Sequence, residues 1–138
     1  MKLVVDTSVL IAALMMNSAV RELLLNPFFE FYAPEHCIEE IEKHVVELVK
    51  RSGLTAENVY LLLGILLASV QVVPKERVLG RMKEAEQIMG KIDMDDAPFI
   101  ALALSFPNDG VWSEDKHFLR QRRVKVWHTK DLLKLTRE

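Results

Sequence analysis

Cysteine is nearly missing from this 138-residue chain: Cys37 stands alone, so no internal disulfide and no four-cysteine zinc ribbon can form. That scarcity suits a reducing compartment and places the protein in the cytoplasm. Glycine is sparse and scattered, at Gly53, Gly64, Gly80, Gly90 and Gly110, which leaves neither a phosphate-cradling P-loop nor a dinucleotide-binding fingerprint. Long apolar runs are also missing. The longest, Val59 to Val70, has twelve residues, against the ~18 to 20 that a membrane-spanning helix needs. At the start of the chain, Lys2 precedes only three apolar residues before Asp6, too few for a secretory core of roughly 7 to 15. Nor is there an excess of positive charge. Eighteen Lys plus Arg against twenty Asp plus Glu give a net charge of −2, so binding to a polyanion needs a local patch.

What is present is enough for one folded core. Half the residues are hydrophobic and 28% are charged, which excludes the disordered and fibrous classes. The length fits a single domain over residues 1–138.

Apolar patterning alternates strands with helices. Leu3-Val4-Val5 has the β-branched, two-faced apolar character of a buried parallel strand. Thr7 or Ser8 can cap a helix through Met15, and Asn17 or Ser18 another to about Asn26, before Pro27. A second strand is expected at about Phe29 to Ala33, and one long helix from Pro34 through Arg51, closed by Gly53. Thr55 to Asn58 opens the apolar helix that ends near Ser69. Val70 to Val73 reads as a strand, and Lys75 to Met89 as a helix with Gly90 beyond it. The next helix contains Phe99 to Leu104. Pro98 fits only in the first helical turn, which puts the N-cap at Asp95 or Asp96. A strand at Val111-Trp112, a short helix from Lys116, a strand at about Val124 to Trp127 and a helix from Lys130 to Thr136 complete the order. The expected fold is an α/β/α sandwich around a mainly parallel sheet of about five strands, with strand order open.

Several acids stand where a core would not ask for them. Asp6 ends an all-apolar strand and Asp115 follows Val111-Trp112, so both project from carboxyl ends of strands, where open α/β sheets keep their sites. Asp96 heads an apolar helix. Glu40, with Glu39 beside it, lies near the start of the helix from Pro34. Converging carboxylates about 4 Å apart repel by roughly 1 to 4 kcal/mol per pair, and a divalent cation relieves this. Oxygen ligands select Mg2+ or Mn2+, and a water retained by such an ion is a nucleophile for a phosphodiester. From Ser113 to Glu138 the net charge is +4, and the first 112 residues carry −6. Arg120, Arg122 and Arg123 therefore supply phosphate-binding charge after Asp115.

Val5-Asp6-Thr7-Ser8-Val9-Leu10, Asp96-Ala97-Pro98-Phe99-Ile100-Ala101-Leu102-Ala103 and Trp112-Ser113-Glu114-Asp115-Lys116 resemble the motifs of the PIN-domain family, over nearly the whole chain. The resemblance implies a metal-dependent ribonuclease, VapC-like and paired with an antitoxin protein, that cuts RNA in line and leaves a 5′-phosphate. It implies that Asp6, Glu40, Asp96 and Asp115 are the catalytic and metal-binding acids, with Mg2+ or Mn2+ as cofactor. Ser8 and Ser113 fall on the family's small hydroxyl positions, and Asp93 on an extra acid found in part of it. His117 stands where many relatives carry another acid, a departure at the second metal position.

Other readings compete. Asp6, Asp95 or Asp96 can serve only as helix caps, Asp115 can close a turn, and Glu39, Glu40 and Glu42 can be a solvated face. His36, Glu40 and His44 are spaced i, i+4, i+8, a line that admits zinc, although Cys37 stands where a zinc-protease signature places its Glu. A haloacid-dehalogenase-like phosphatase needs a second Asp where Ser8 stands. Cys37 and Trp112 read as core residues, Trp112 with base stacking as the rival role. Val59 to Val70 is apolar nearly all round, which points to a homodimer or antitoxin surface. The alternative function is a catalytically weak RNA-binding or regulatory module.

Overall fold

The computed structural model describes residues 1–137; Glu138, last in the expected domain, lies outside them. Five strands form one all-parallel sheet in the order β3-β2-β1-β4-β5, so no edge strand runs antiparallel. They are β1 (Lys2–Val5), β2 (Glu30–Pro34), β3 (Val70–Val73), β4 (Val111–Trp112) and β5 (Val126–Trp127). Leu3, Val4 and Val5 are fully buried, as a central strand covered on both faces requires.

The helices are α1 (Thr7–Leu14), α2 (Ser18–Leu24), α3 (Glu35–Lys43), α4 (Val45–Ser52), α5 (Ala56–Leu67), α6 (Lys75–Met89), α7 (Ala97–Ser105) and α8 (Thr129–Arg137). Right-handed crossovers explain their layers. The chain moves one way from β1 to β2 to β3, then crosses back from β3 to β4 on the other side of β1. Reversal of direction sends the connection to the opposite face. Thus α7 packs on β1, β2 and β4 with α6 against it, whereas α1 contacts α2 and α5, and α2 contacts α8. Buried residues from both layers join in one hydrophobic cluster that includes Leu10, Phe31, Ile41, Phe99, Trp112 and Leu132.

Local signals set several boundaries. The Asn17 side chain accepts a hydrogen bond from the Val20 N–H at 3.1 Å, and Thr55 accepts one from Asn58 at 3.1 Å. Gly53 closes α4 in the left-handed conformation (φ 74°), open to glycine without strain. One expectation needs correction. The helix from Pro34 through Arg51 is two helices, broken at His44 (φ −104°, ψ 5°). There the His44 N–H bonds to the Ile41 carbonyl at 3.0 Å, three residues back rather than four. The break lets Val45 and Leu48 turn inward while α4 packs on α5. Among the described residues, no single helix is long and apolar enough to cross a membrane.

Candidate metal centre

Strand order decides where the acids meet. β1 is the strand from which the chain leaves in one direction and beside which it later returns, and such a switch point opens a crevice at the carboxyl ends. Val5 pairs with Trp112 in register, so Asp6 and the Ser113–Asp115 segment leave neighbouring strands at the same end. Helices that follow or precede parallel strands begin at that end too. This brings Glu40, in the second turn of α3, and Asp96, at the head of α7, to the same crevice.

The two deepest acids do not act as helix caps. Asp6 and Asp96 occupy N-cap positions, yet neither makes a side-chain capping bond. Instead Asp6 Oδ2 accepts hydrogen bonds from Ser8 Oγ at 2.6 Å and Ser113 Oγ at 2.8 Å. Glu40 Oε1 accepts from Thr7 Oγ1 at 2.6 Å, with His36 Nε2 3.6 Å away. Its neighbour Glu39 points elsewhere and pairs with Lys75 Nζ at 2.5 Å. Asp115 does close a turn, since its Oδ1 accepts the His117 N–H at 2.9 Å, and Asp93 Oδ1 accepts the Asp95 N–H at 3.0 Å. In each of these four acids the described bonds occupy one oxygen. Asp96 is different: its side chain is 9% exposed, and Oδ2 is buried without a hydrogen-bond partner.

Such a cluster holds negative charge badly by itself. Burial, first of all, pushes the Asp96 carboxyl up to about 8, with Asp6, Asp93, Asp115 and Glu40 adding repulsion. Burial also raises Asp6, against hydrogen bonds from Ser8 and Ser113, and Asp115 raises it further. Glu40 is raised by burial, against help from Thr7 and His36. Among the described residues, no Lys or Arg forms an ion pair with Asp6, Glu40, Asp93, Asp96 or Asp115. A divalent cation is one charge that would relieve this repulsion. Donor atoms of Asp93, Asp96 and His117 lie within 4.8 Å of one another, close enough to hold one ion, and the Asp96 Oδ2 without a hydrogen bond is a free donor atom within that group.

A pH test follows from these shifts. The folded state holds the Asp96 proton more tightly than the unfolded chain, so this contribution is fully present below the ordinary value of 3.8 and is lost as pH rises to about 8. Asp6 and Glu40 act in the same direction. In EDTA the melting temperature should therefore fall across that window, and saturating Mn2+ should flatten the fall. A metal-free melting temperature that rises through neutrality would contradict the clustering.

Other expected site residues are placed differently. Arg123 binds Glu84 at 2.5 Å, and Glu84 also binds Arg81, which donates to the Leu104 carbonyl at the far end of α7. Arg123 is therefore at the amino side of the sheet, away from the acids. Arg120 and Arg122 are exposed and, among the described residues, in no ion pair. Trp112 is fully buried, its Nε1 donating to Thr129 Oγ1 at 3.1 Å, so it is a core residue and not a base platform. His44 lies beyond the end of α3 and faces Glu47 at 3.8 Å, which breaks the His36–Glu40–His44 line. Cys37 is buried, and burial pushes its thiol up to about 12, so it is inert.

Two contributors were not legible as such. Thr7, read as a cap, is instead the hydroxyl that holds Glu40. His117 turns toward three acids, with Nδ1 3.3 Å from Asp93, 3.5 Å from Asp115 and 3.8 Å from Asp96. Its place two residues after Asp115, on the same turn, was the available signal.

No curated protein matches the chain in sequence. The family model described as PIN domain matches residues 4–136, a span that takes in Asp6, Glu40, Asp96 and Asp115. With that match over the five-stranded parallel sheet, the chain belongs to the PIN domain family.

Proposed function

We propose that this chain is a metal-dependent endoribonuclease acting as a single domain, with Asp6, Glu40, Asp96 and Asp115 as its catalytic and metal-binding acids and Asp93 beside them. PIN domains are generally nucleases. The observation that carries the reading is the crevice of five carboxylates without a Lys or Arg partner among the described residues, Asp96 Oδ2 being buried and unbonded.

Mg2+ or Mn2+ bound there supplies Lewis acidity at a phosphoryl oxygen and lowers the pKa of water. The chain's own contribution is positioning. Ser8 and Ser113 hold one oxygen of Asp6, Thr7 holds one of Glu40, and the turn after β4 holds one of Asp115. Their second oxygens are thereby aimed before substrate arrives, which removes reorganisation from the chemical step. A panel of labelled single-stranded and hairpin RNAs, incubated with Mg2+, Mn2+ or EDTA, tests the function. Cleavage that requires the ion and leaves 5′-phosphates supports it, and RNA binding without cleavage would favour the non-catalytic module.

RNA backbone contacts fall to Arg120, Arg122 and Arg123. Because Arg123 is paired with Glu84 at the amino side, Arg120 and Arg122 should matter more. Replacing both by Gln should lessen the salt slope of RNA binding by about 0.7 per lost phosphate contact. An unchanged slope would remove them from the interface.

The biological setting we infer is a cytoplasmic toxin held by an antitoxin, with self-association through α5. Tyr60, Leu61 and Ile65 expose 48%, 64% and 56% of their surface on that helix, while Val59, Leu63 and Leu66 fill the core. Sedimentation of wild type beside Leu61→Glu checks the homodimer: wild type at the 15.8 kDa monomer mass would defeat it.

A further inference from the structure

His117 is set apart from the other three histidines. His36, His44 and His128 each face a single carboxylate, at 3.6, 3.8 and 3.9 Å. His117 Nδ1 faces three, those of Asp93, Asp115 and Asp96, at 3.3, 3.5 and 3.8 Å. That nitrogen is also buried and without a hydrogen bond, as are Asp96 Oδ2 across from it and, beside Glu40 and outside the three-acid group, His36 Nε2. Two buried polar atoms without partners, one on each wall of the same acidic crevice, mark a missing shared partner rather than a finished salt bridge.

We propose that His117 is a metal ligand, and that with Asp93 and Asp96 it makes a nitrogen–oxygen position that favours first-row transition ions over Mg2+. This rests on the reading of the crevice as a divalent-metal centre and adds to it the choice of ion. Spacing supports the ligand set. Metal–donor bonds of about 2.1 Å put neighbouring octahedral donors roughly 3 Å apart and opposite ones roughly 4.2 Å apart. The 3.3 Å and 3.8 Å separations from His117 to Asp93 and Asp96 lie between these.

The imidazole is well held for the task. Its residue is the second of a 3-10 turn, Lys116–Arg120, whose capping bond runs from the His117 N–H to Asp115. The following Phe118 is fully buried and packs edge-on against Phe99 of α7 at 6.2 Å. One turn of chain is thus anchored on the helix that Asp96 heads. Carboxylates alone suit Mg2+ and Mn2+, but an imidazole donor suits transition ions. Exchanging an acid for His117 shifts the pocket toward Mn2+ and the later ions, and lowers its negative charge.

Wild-type protein loaded with Mn2+ can be read directly by pulsed electron paramagnetic resonance. Nitrogen-14 coupling from a coordinated imidazole is expected in wild type and absent in His117→Asp. In competition, the Mg2+ needed to displace half the Mn2+ should drop by about tenfold in His117→Asp, whose position is again all oxygen. Bound Mn2+ without nitrogen coupling in wild type overturns the proposal while leaving an oxygen-only centre. Coupling that persists in His117→Asp assigns the nitrogen elsewhere and overturns it equally. If wild type binds no Mn2+ at all, the metal-dependent nuclease reading fails with it.

Discussion

Replacing Asp96 by Asn is expected to abolish metal-dependent cleavage and, at the same time, to raise the melting temperature of the metal-free protein. The two effects have one cause. Asp96 is almost fully buried, its Oδ2 has no hydrogen bond, and four other carboxylates repel its charge. At neutral pH the free protein must either hold a proton there or bear the repulsion, which weakens the fold by on the order of 2 kcal/mol relative to a neutral side chain of the same shape. Asn removes that penalty. It also removes an anionic ligand, which should cost more than the roughly 10- to 100-fold lost when only an outer partner of a ligand is removed. Thermal melts in EDTA at pH 7.5, beside RNA cleavage in Mn2+, read both. A variant less stable than wild type in EDTA, or one that still cleaves at the wild-type rate, would show that Asp96 is an ordinary structural residue. Asp6→Asn should lose cleavage equally, and because burial raises the Asp6 carboxyl as well, it should not lower the melting temperature in EDTA through loss of its charge.

Gly110→Ala should be the most damaging small substitution. Gly110 sits at φ 126°, which a residue with a Cβ adopts only with strain, and an added Cβ would overlap the Lys125 carbonyl oxygen. That oxygen accepts the Val111 N–H at 2.9 Å and so joins β4 to β5. Relief of the overlap must break or stretch the ladder. A loss of about 3 to 5 kcal/mol is expected, a large part of the 5 to 15 kcal/mol typical of a whole domain. Denaturant unfolding measures it, and a loss below about 1 kcal/mol would mean that β5 yields without harm. Because β4 leads directly to Ser113 and Asp115, metal affinity should fall with stability.

Much of the site was legible because its signals are local. An apolar strand ended by Asp6, a proline that fixes the head of α7 at Asp96, and Trp112-Ser113 leading to Asp115 each need only a few residues. Rotation and depth needed the folded chain. Glu39 and Glu40 are neighbours, and only the burial of Cys37 and Ile41 turns Glu40 toward Thr7 while Glu39 meets Lys75. The break at His44 depends on packing against α5, which no short window contains. Arg123 follows Asp115 closely in sequence, yet a parallel sheet obliges the chain to travel back to the amino end before β5 can start. Closeness along the chain is there not closeness in space to the acids. His117 was readable as a departure from a pattern, but its convergence on three acids required coordinates.

The pairing of β1 with β4 joins residues made far apart in time, Asp6 and Ser113 being 107 positions apart in the chain. Val4 lies beside Val111 and Asp6 bonds Ser113, so Asp6 must wait for its neighbours. At about 5 to 20 residues per second, roughly 5 to 20 seconds separate the translation of Asp6 from that of Asp115. Once β3 has been made, β1, β2 and β3 can pair, but the crevice still has only half its walls. Until Asp115 has emerged, a growing chain therefore carries no complete acidic pocket.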